Sequence, residues 1–188
     1  MRHWLIALAA LIISGCSSTT DTTYYQLPTD SATASVSSTQ TASPPMLWVQ
    51  QVTVSDYLAG NGVVYQTSAV KYVIASQNLW ASPLDQQLQQ TLVANLSRAL
   101  PDRLVSTAPL SEQHDTLSVN VTGFHGRYDG KAIISGEWIL QHQGRLTRQP
   151  FDLMLAQQED GYDALVKTLA QGWQQQAQQI AKTLSALN

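Results

Sequence analysis

The sequence predicts an α+β fold: a single domain in which a mainly antiparallel sheet carries two amphipathic helices packed on one face. Two stretches, at residues 84–100 and 161–187, repeat apolar residues every three to four positions, as amphipathic helices do. The remaining stretches alternate apolar and polar residues or are rich in Val, Ile and Tyr, and turn residues separate them. The order strands, helix, strands, helix is typical of α+β domains.

Three strands are predicted ahead of the first helix. Residues 47–54 are rich in Trp and Val and alternate in part, which favours a strand. After the turn at residues 60–62, short strands are expected at residues 63–65 and 69–75, where β-branched and aromatic residues dominate. The folded domain is therefore expected to cover residues 46–188, about 143 residues, which is a common size for one domain.

The first helix is predicted to open at Ser82, whose hydroxyl suits an N-cap, with Pro83 at the first helical position. Pro101 ends it, because proline cannot continue a helix. Five leucines at a spacing of four form its apolar stripe: Leu84, Leu88, Leu92, Leu96 and Leu100. Four polar residues mark the opposite face: Gln86, Gln89, Gln90 and Arg98.

A meander of strands is predicted after this helix. A short strand is expected near Leu104-Val105, and a half-buried one follows in which Leu117, Val119 and Val121 alternate with polar residues. The Asp-Gly pair within residues 128–131 supplies the positive φ angles of a tight hairpin turn. Residues 143–144 predict a second turn, and residues 146–155 the last strand.

The second helix is predicted over residues 161–187. Its apolar stripe consists of Tyr162, Leu165, Leu169, Trp173, Ala177, Ile180 and Leu184. Gly172 interrupts the helix, where it costs about 1 kcal/mol relative to alanine. A close approach to a neighbouring element would explain this glycine.

The amino terminus has the pattern of an export signal over residues 1–15: Arg2, an apolar run and two small residues. The tetrad ending at Cys16 resembles the bacterial lipobox, which implies that Cys16 becomes an N-palmitoyl, S-diacylglycerol cysteine. Ser17 follows, whereas enteric-type bacteria tend to retain lipoproteins with Asp at this position in the inner membrane. The protein is therefore expected on the periplasmic face of the outer membrane.

Residues 16–45 are expected to form a flexible tether, because about half of them are Ser or Thr and few are apolar. Fully extended, such a tether would span roughly 100 Å. Residues 24–28 are an aromatic and aliphatic island within it. This island either docks on the domain as an edge strand or remains an unstructured aromatic pair.

Composition excludes two classes of protein. Cys16 is the only cysteine, so an intrachain disulfide scaffold is impossible. Removal of Arg2 with the signal changes the formal charge from −3 to −4, and no basic stripe remains for nucleic acid.

No catalytic, cofactor or metal motif is evident. His114, His125 and His142 lack metal-ligand spacing. His125 is near Arg127 and Asp129 in sequence, and we interpret this group as a solvated hairpin rim rather than a catalytic site. Glu137 and Asp152 are interpreted as exposed strand residues rather than a glycosidase pair.

The sequence contains more aromatic residues than the apolar stripes of the two helices account for, and several of them fall at strand ends or turns. Such residues are enriched in the cores of protein interfaces. Six of them form a candidate interaction surface: Tyr24, Tyr25, Tyr57, Tyr65, Trp80 and Tyr128. The alternative is that, with Trp48, they cap the core of the domain.

Several segments resemble, in order and spacing, the ABC-type transport auxiliary lipoprotein family. They are residues 24–28, 48–54, 57–66, 78–84, 126–131 and 135–138. The resemblance implies a non-enzymatic outer-membrane lipoprotein that forms a ring-like homo-oligomer. Its implied partner is a PqiB-like MCE protein that forms a periplasmic tunnel, and through it a PqiA-like inner-membrane protein, in a system that moves lipids and supports envelope integrity.

Two other functions remain open from the sequence. One is a periplasmic carrier that binds acyl chains between the sheet and the helices. The other is an envelope hydrolase that uses the His125 hairpin.

Overall fold

The computed structural model describes residues 21–28 and 44–187, so Cys16 and the expected signal at residues 1–15 lie outside the described residues. The described chain has the predicted α+β architecture. Its strands are β1 (Thr23–Tyr25), β2 (Met46–Val54), β3 (Gly62–Ser68), β4 (Lys71–Trp80), β5 (Leu104–Ser106), β6 (Asp115–Arg127), β7 (Lys131–His142) and β8 (Arg145–Ala156). Its α-helices are α1 (Leu84–Ala99) and α2 (Tyr162–Ser185), and a 3-10 turn spans Asp56–Leu58.

All eight strands join one sheet, in which β6 is central. The two longest ladders, β6 with β7 and β7 with β8, are antiparallel, which confirms a mainly antiparallel sheet. On its other edge β6 pairs in parallel first with β2 and then with β3. The hairpin of β3 and β4 continues the sheet to β1, while β5 lies parallel to β2.

Two short turns hold the meander in register. Gly130 has φ 76°, and Gln143 and Gly144 have φ 49° and 78°. Positive φ at both central residues of a two-residue loop matches the twist of antiparallel strands. The turn at residues 143–144 is as predicted. At the first turn the prediction is wrong for Asp129, because residues 128–130 form a three-residue loop in which only Gly130 has positive φ.

Helix α1 buries the predicted leucine stripe, but its expected start is wrong by one residue. Pro83 has ψ 133° and acts as the N-cap, so Leu84 is the first helical residue. Ser82 makes no cap bond; its carbonyl oxygen instead accepts a hydrogen bond from Gln87 Nε2 at 2.8 Å. Pro83 has no side-chain acceptor, so α1 starts without a side-chain cap hydrogen bond.

Helix α2 packs against α1 and across β6, β7 and β8, which places both helices on one face of the sheet. Trp173 Nε1 donates a buried hydrogen bond to the carbonyl oxygen of Leu88 in α1 at 3.0 Å. A Cβ on Gly172 would lie 2.5 Å from Ile134 Cδ1. The glycine therefore lets α2 approach β7, as the sequence suggested.

Side chains fill the space between this helical layer and the sheet. The largest fully buried ones include Trp138, Trp173, Phe124 and Ile134. None of the helices in the described ranges is long and apolar enough to span a bilayer.

Candidate interaction surface

The six aromatic residues expected at an interaction surface are distributed over separate parts of the domain. Tyr24 and Tyr128 are exposed, and Tyr25, Tyr57 and Tyr65 are half-buried. Trp80 is only 4% exposed and packs on Phe124, with ring centroids 6.2 Å apart. For Trp80 the alternative applies, because its side chain belongs to the core.

Tyr24 and Tyr25 lie in β1, which docks as a parallel edge strand on the end of β4. The Tyr25 hydroxyl donates to Asp163 Oδ1 at 2.9 Å, at the start of α2. Burial, together with this hydrogen bond and the charge of Asp163, raises the pKa of Tyr25 to about 12. The aromatic island in the expected tether is therefore a bound strand.

Leu27 extends this docking into the core, where it is 2% exposed. Its backbone N–H donates to Gln87 Oε1 at 2.8 Å in a buried hydrogen bond. Gln87 Nε2 in turn donates to Ser82. One buried glutamine thus satisfies backbone groups on both sides of the contact between β1 and α1.

The outer face of the sheet, opposite the helices, carries a second aromatic group formed by Tyr57, Tyr72 and His125. The centroid of the Tyr72 ring is 5.1 Å from those of both Tyr57 and His125. The Tyr57 hydroxyl donates to the carbonyl oxygen of Thr122 at 2.8 Å. Burial, with a contribution from Tyr72, raises the pKa of Tyr57 to about 12, so this hydroxyl remains protonated.

His125 is only 3% exposed, so its interpretation as part of a solvated rim is wrong. The two tyrosines cover its ring, and Nδ1 lies 3.0 Å from the carbonyl oxygen of Gly126, which accepts its hydrogen bond. Burial lowers the pKa of His125; the Gly126 carbonyl opposes this shift and the charge of Arg127 adds to it. The imidazole is a neutral packing group beneath aromatic rings.

Arg127 and Asp129 do form a solvated rim. The guanidinium donates two hydrogen bonds to the carboxylate, at 2.8 and 2.6 Å, and Arg127 Nη2 also lies 3.1 Å from Met154 Sδ. The hydrogen bond from Arg127, with help from Lys131, holds the pKa of Asp129 well below its usual range. Arg127 also lines a hollow on the outer face of the sheet, the outer-face hollow.

This hollow has a volume of about 300 Å³, and aromatic, aliphatic and polar side chains line it. Ile133 and Met154 form its apolar floor beside His125. It is an open surface depression with the mixed lining of a protein contact surface.

The hairpin of β3 and β4 carries exposed apolar residues that the sequence reasoning did not assign to a surface. Val70 at its tip is 84% exposed, and Tyr72, Val73 and Ile74 are each about half-exposed. Successive strand residues point to opposite faces, so this hairpin is apolar on both sides. The unbroken apolar run in the sequence is the signal that could have revealed it, since a half-buried strand would alternate.

The two candidate catalytic carboxylates lie on the outer face of neighbouring strands. Glu137 accepts hydrogen bonds from Arg148 Nε and Nη2, at 2.7 and 2.5 Å. Asp152 is exposed and lies opposite Ser135 in the register of β7 and β8. Glu137 is only partly exposed, and it serves as one half of a cross-strand ion pair.

A buried polar network lies at the other end of the domain and was not foreseen. Asp115 Oδ2 accepts from Arg103 Nη1 at 2.6 Å, and Asp115 Oδ1 lies 2.8 Å from His142 Nδ1. The network borders an open, mainly polar hollow of about 720 Å³. Within the described ranges no three His, Cys, Asp or Glu side chains come together as metal ligands. Arg103, Asp115 and His142 are separated in sequence, so no local motif predicts this network.

Comparison with known proteins gives consistent results along the chain. A family model described as the ABC-type transport auxiliary lipoprotein component matches residues 25–181. The chain is 57% identical to "Intermembrane transport lipoprotein PqiC" of Escherichia coli (strain K12), and the match covers 100% of both chains.

Two crystal structures share the fold. One, of a protein described as uncharacterized, is 58% identical with a TM-score of 0.79, and the match covers 87% of this chain and 99% of that one. The other, of a Xanthomonas campestris protein, is 15% identical with a TM-score of 0.64, covering 88% and 100%. The second likeness shows the fold alone.

Proposed function

We propose a function from the premise that this chain belongs to the ABC-type transport auxiliary lipoprotein family, as its resemblance in sequence predicted. In this proposal the protein is the outer-membrane lipoprotein of a PqiABC-type intermembrane lipid-transport system. Lipid on Cys16 anchors it, and its folded domain docks the periplasmic tunnel formed by a PqiB-like MCE protein. It thereby connects a PqiA-like inner-membrane protein to the outer membrane indirectly and supports envelope integrity.

The observation that carries this proposal is the full-length similarity to a protein named an intermembrane transport lipoprotein. The match covers the whole of both chains, so it includes residues 1–20, where we expect a signal and a lipobox, as well as the folded domain. A full-length match to a protein with this name supports a similar role for this chain in intermembrane transport.

The surface chemistry also supports a role in binding other proteins. The outer-face hollow and the apolar hairpin of β3 and β4 expose residues that water solvates poorly. We place the contact with the MCE protein on this side of the sheet, opposite the helices.

The edges of the sheet support the ring-like homo-oligomer. Among the described strands, β8 pairs only with β7, and β4 has no strand partner along residues 71–76 on its outer side. Such edges present unpaired backbone N–H and C=O groups. Two different edges that pair head to tail give a heterologous interface, which closes into a ring when the rotation allows.

The alternatives fit the described geometry less well. A carrier of acyl chains needs a cavity, whereas side chains fill the layer between sheet and helices. A hydrolase based on His125 needs an accessible imidazole, whereas Tyr57 and Tyr72 cover this ring. Both observations favour a non-enzymatic docking subunit.

Three measurements test the proposal. Metabolic labelling with an alkyne fatty acid should mark the wild-type protein and not Cys16→Ala, and the labelled protein should sediment with outer membranes. Cys16→Ala should still retain the MCE partner in a pull-down, because docking belongs to the folded domain. Light scattering should show an oligomer, and a strict monomer at high concentration would contradict the ring.

A matched pair of variants locates the contact. Ile74→Lys places a charge on the apolar hairpin, and Leu110→Lys places one on a residue elsewhere that is also more than half exposed. Only Ile74→Lys should weaken the pull-down. Equal retention of the partner by both variants would remove the hairpin from the proposed surface.

A further inference from the structure

We propose that β1 is a latch that holds the folded domain close to the bilayer, with the corner formed by β1 and the end of β4 turned toward the lipid surface. The proposal rests on the lipid anchor at Cys16 in the proposed function. It concerns the distance and orientation that the latch imposes, rather than the presence of the anchor.

The length of chain before β1 sets the distance. Only residues 17–22 separate Cys16 from Thr23, so this lead spans at most roughly 25 Å at full extension. If β1 were free, the lead would run from Cys16 to β2, a span of roughly 100 Å. Docking of three residues therefore shortens the reach of the anchor about fourfold.

Backbone hydrogen bonds hold β1 in place. Its ladder aligns Thr23 with Asn78 and Tyr25 with Trp80, and the carbonyl oxygen of Tyr25 accepts a hydrogen bond from the N–H of Ala81 at 2.7 Å. This bond fixes the chain where β4 ends.

Side chains on both sides of β1 reinforce the docking. The hydroxyl of Thr22 donates to Gln77 Oε1 at 2.9 Å, ahead of the strand. Leu27, beyond the strand, is buried in the core, with its backbone N–H held by Gln87. A force applied at the lipid-anchored end would therefore act on these contacts before it acted on residues 29–43.

Because the lead is shorter than the domain is wide, it also limits how the domain can be oriented on the bilayer. A compact body of roughly 150 residues has a radius of gyration of about 15 Å and a diameter of about 40 Å. A lead of about 25 Å cannot pass around such a body to its far side. The side that carries β1 therefore cannot point away from the bilayer.

Charge does not explain this placement. Asp21 and Asp163 lie beside β1, and bacterial membrane surfaces are anionic. The corner is thus held near lipid by its covalent lead and its latch. Raising the salt concentration should accordingly not release the domain from the bilayer.

Two insertions of identical composition test the latch. The same ten-residue Ser/Thr segment is placed after Ser18, ahead of β1, or after Ser35, between β1 and β2. The full chain carries Leu110→Cys for a donor dye, a unique labelling site because Cys16 bears lipid, and it is reconstituted into vesicles with an acceptor lipid. Energy transfer then reports the separation of domain and bilayer.

The insertion after Ser18 should increase the mean separation by about 8 Å, as expected for a coil that grows from seven to seventeen links. The insertion after Ser35 should leave it unchanged. In a Leu27→Asp background, which removes the buried contact of the latch, the two insertions should become equivalent. Equal effects in the wild-type background would overturn the proposal.

A measurement in solution separates failure of the latch from failure of the anchor. Spin labels at Tyr24→Cys, in β1, and Leu110→Cys, in a Cys16→Ser chain, should report one narrow distance distribution. The insertion after Ser35 should not change it. A distribution that broadens and lengthens would overturn the latch, whereas loss of both insertion variants from vesicles would instead refute lipidation of Cys16.

Discussion

Replacement of Gly172 by alanine should destabilise the domain although alanine is the better helix former. The new Cβ would lie 2.5 Å from Ile134 Cδ1, 3.0 Å from Ile134 Cγ1 and 3.3 Å from Leu155 Cδ1. Ile134 is fully buried, so its side chain has no free space to enter. Overpacking of this kind costs about 1–3 kcal/mol, and the helix propensity of alanine returns about 1 kcal/mol. We expect a net loss of up to about 2 kcal/mol in the free energy of unfolding.

A second substitution tests whether this contact is the cause. Ile134→Val removes Cδ1, the atom closest to the new Cβ, and should by itself cost about 0.5–1.5 kcal/mol. In the double variant the clash is relieved while the propensity gain remains. The double variant should therefore be more stable than the sum of the single effects by about 1–3 kcal/mol.

Urea unfolding at equilibrium measures all three variants, and Gly60→Ala is the matched control. A Cβ at Gly60 meets no atom within 4 Å, so that substitution should leave stability almost unchanged. Effects of Gly172→Ala and Ile134→Val that add within about 0.5 kcal/mol would refute the proposed clash.

Three further predictions concern the latch, the buried histidine and the anchor. Gln87→Leu should lower the free energy of unfolding by about 1–3 kcal/mol and speed amide exchange at Leu27, because it leaves two buried backbone groups without a hydrogen-bond partner. Unchanged exchange would contradict this role. Burial lowers the pKa of His125 below that of the unfolded chain, so its neutral form stabilises the fold above about pH 6.5, and this contribution is lost as the pH falls toward the folded value. His125→Phe should flatten the fall in unfolding free energy between about pH 7 and 5, and an identical slope in both proteins would exclude this explanation. Ser17→Asp should move the lipoprotein to inner-membrane fractions on a sucrose gradient, and unaltered sedimentation would count against sorting by this residue.

The helices and tight turns were predictable because their signals are local. The leucine stripe of α1 is a spacing in the sequence, and the turn at Gln143-Gly144 depends on two adjacent residues. The helix start was missed by one residue because Pro83 has the extended ψ of an N-cap and not the helical ψ of a first helical residue. The Gln87 side chain bonds the Ser82 carbonyl oxygen ahead of the helix, and local propensity does not contain such a buried contact.

The candidate surface was predictable only in part. Tyr57 was recognised as an aromatic at a turn, but its partners Tyr72 and His125 come from other strands. The burial of His125 follows from this packing across the sheet rather than from its neighbours in sequence. Likewise, Asp115 contacts Arg103 and His142 only because the start of β6, the end of β7 and the loop before β5 lie at the same corner of the domain.

The parallel pairing of β2 with β6 also constrains how the exported chain folds. Leu47 aligns with Asp115, so β2 must wait for residues that emerge much later during translocation. The hairpin of β3 with β4 closes over a short loop and can form before β6 emerges. Until β6 arrives, β2 lacks the longer of its two partner strands, and unpaired apolar strands are prone to aggregation. We therefore expect the chain to be most prone to aggregation in the interval between the appearance of β2 and that of β6.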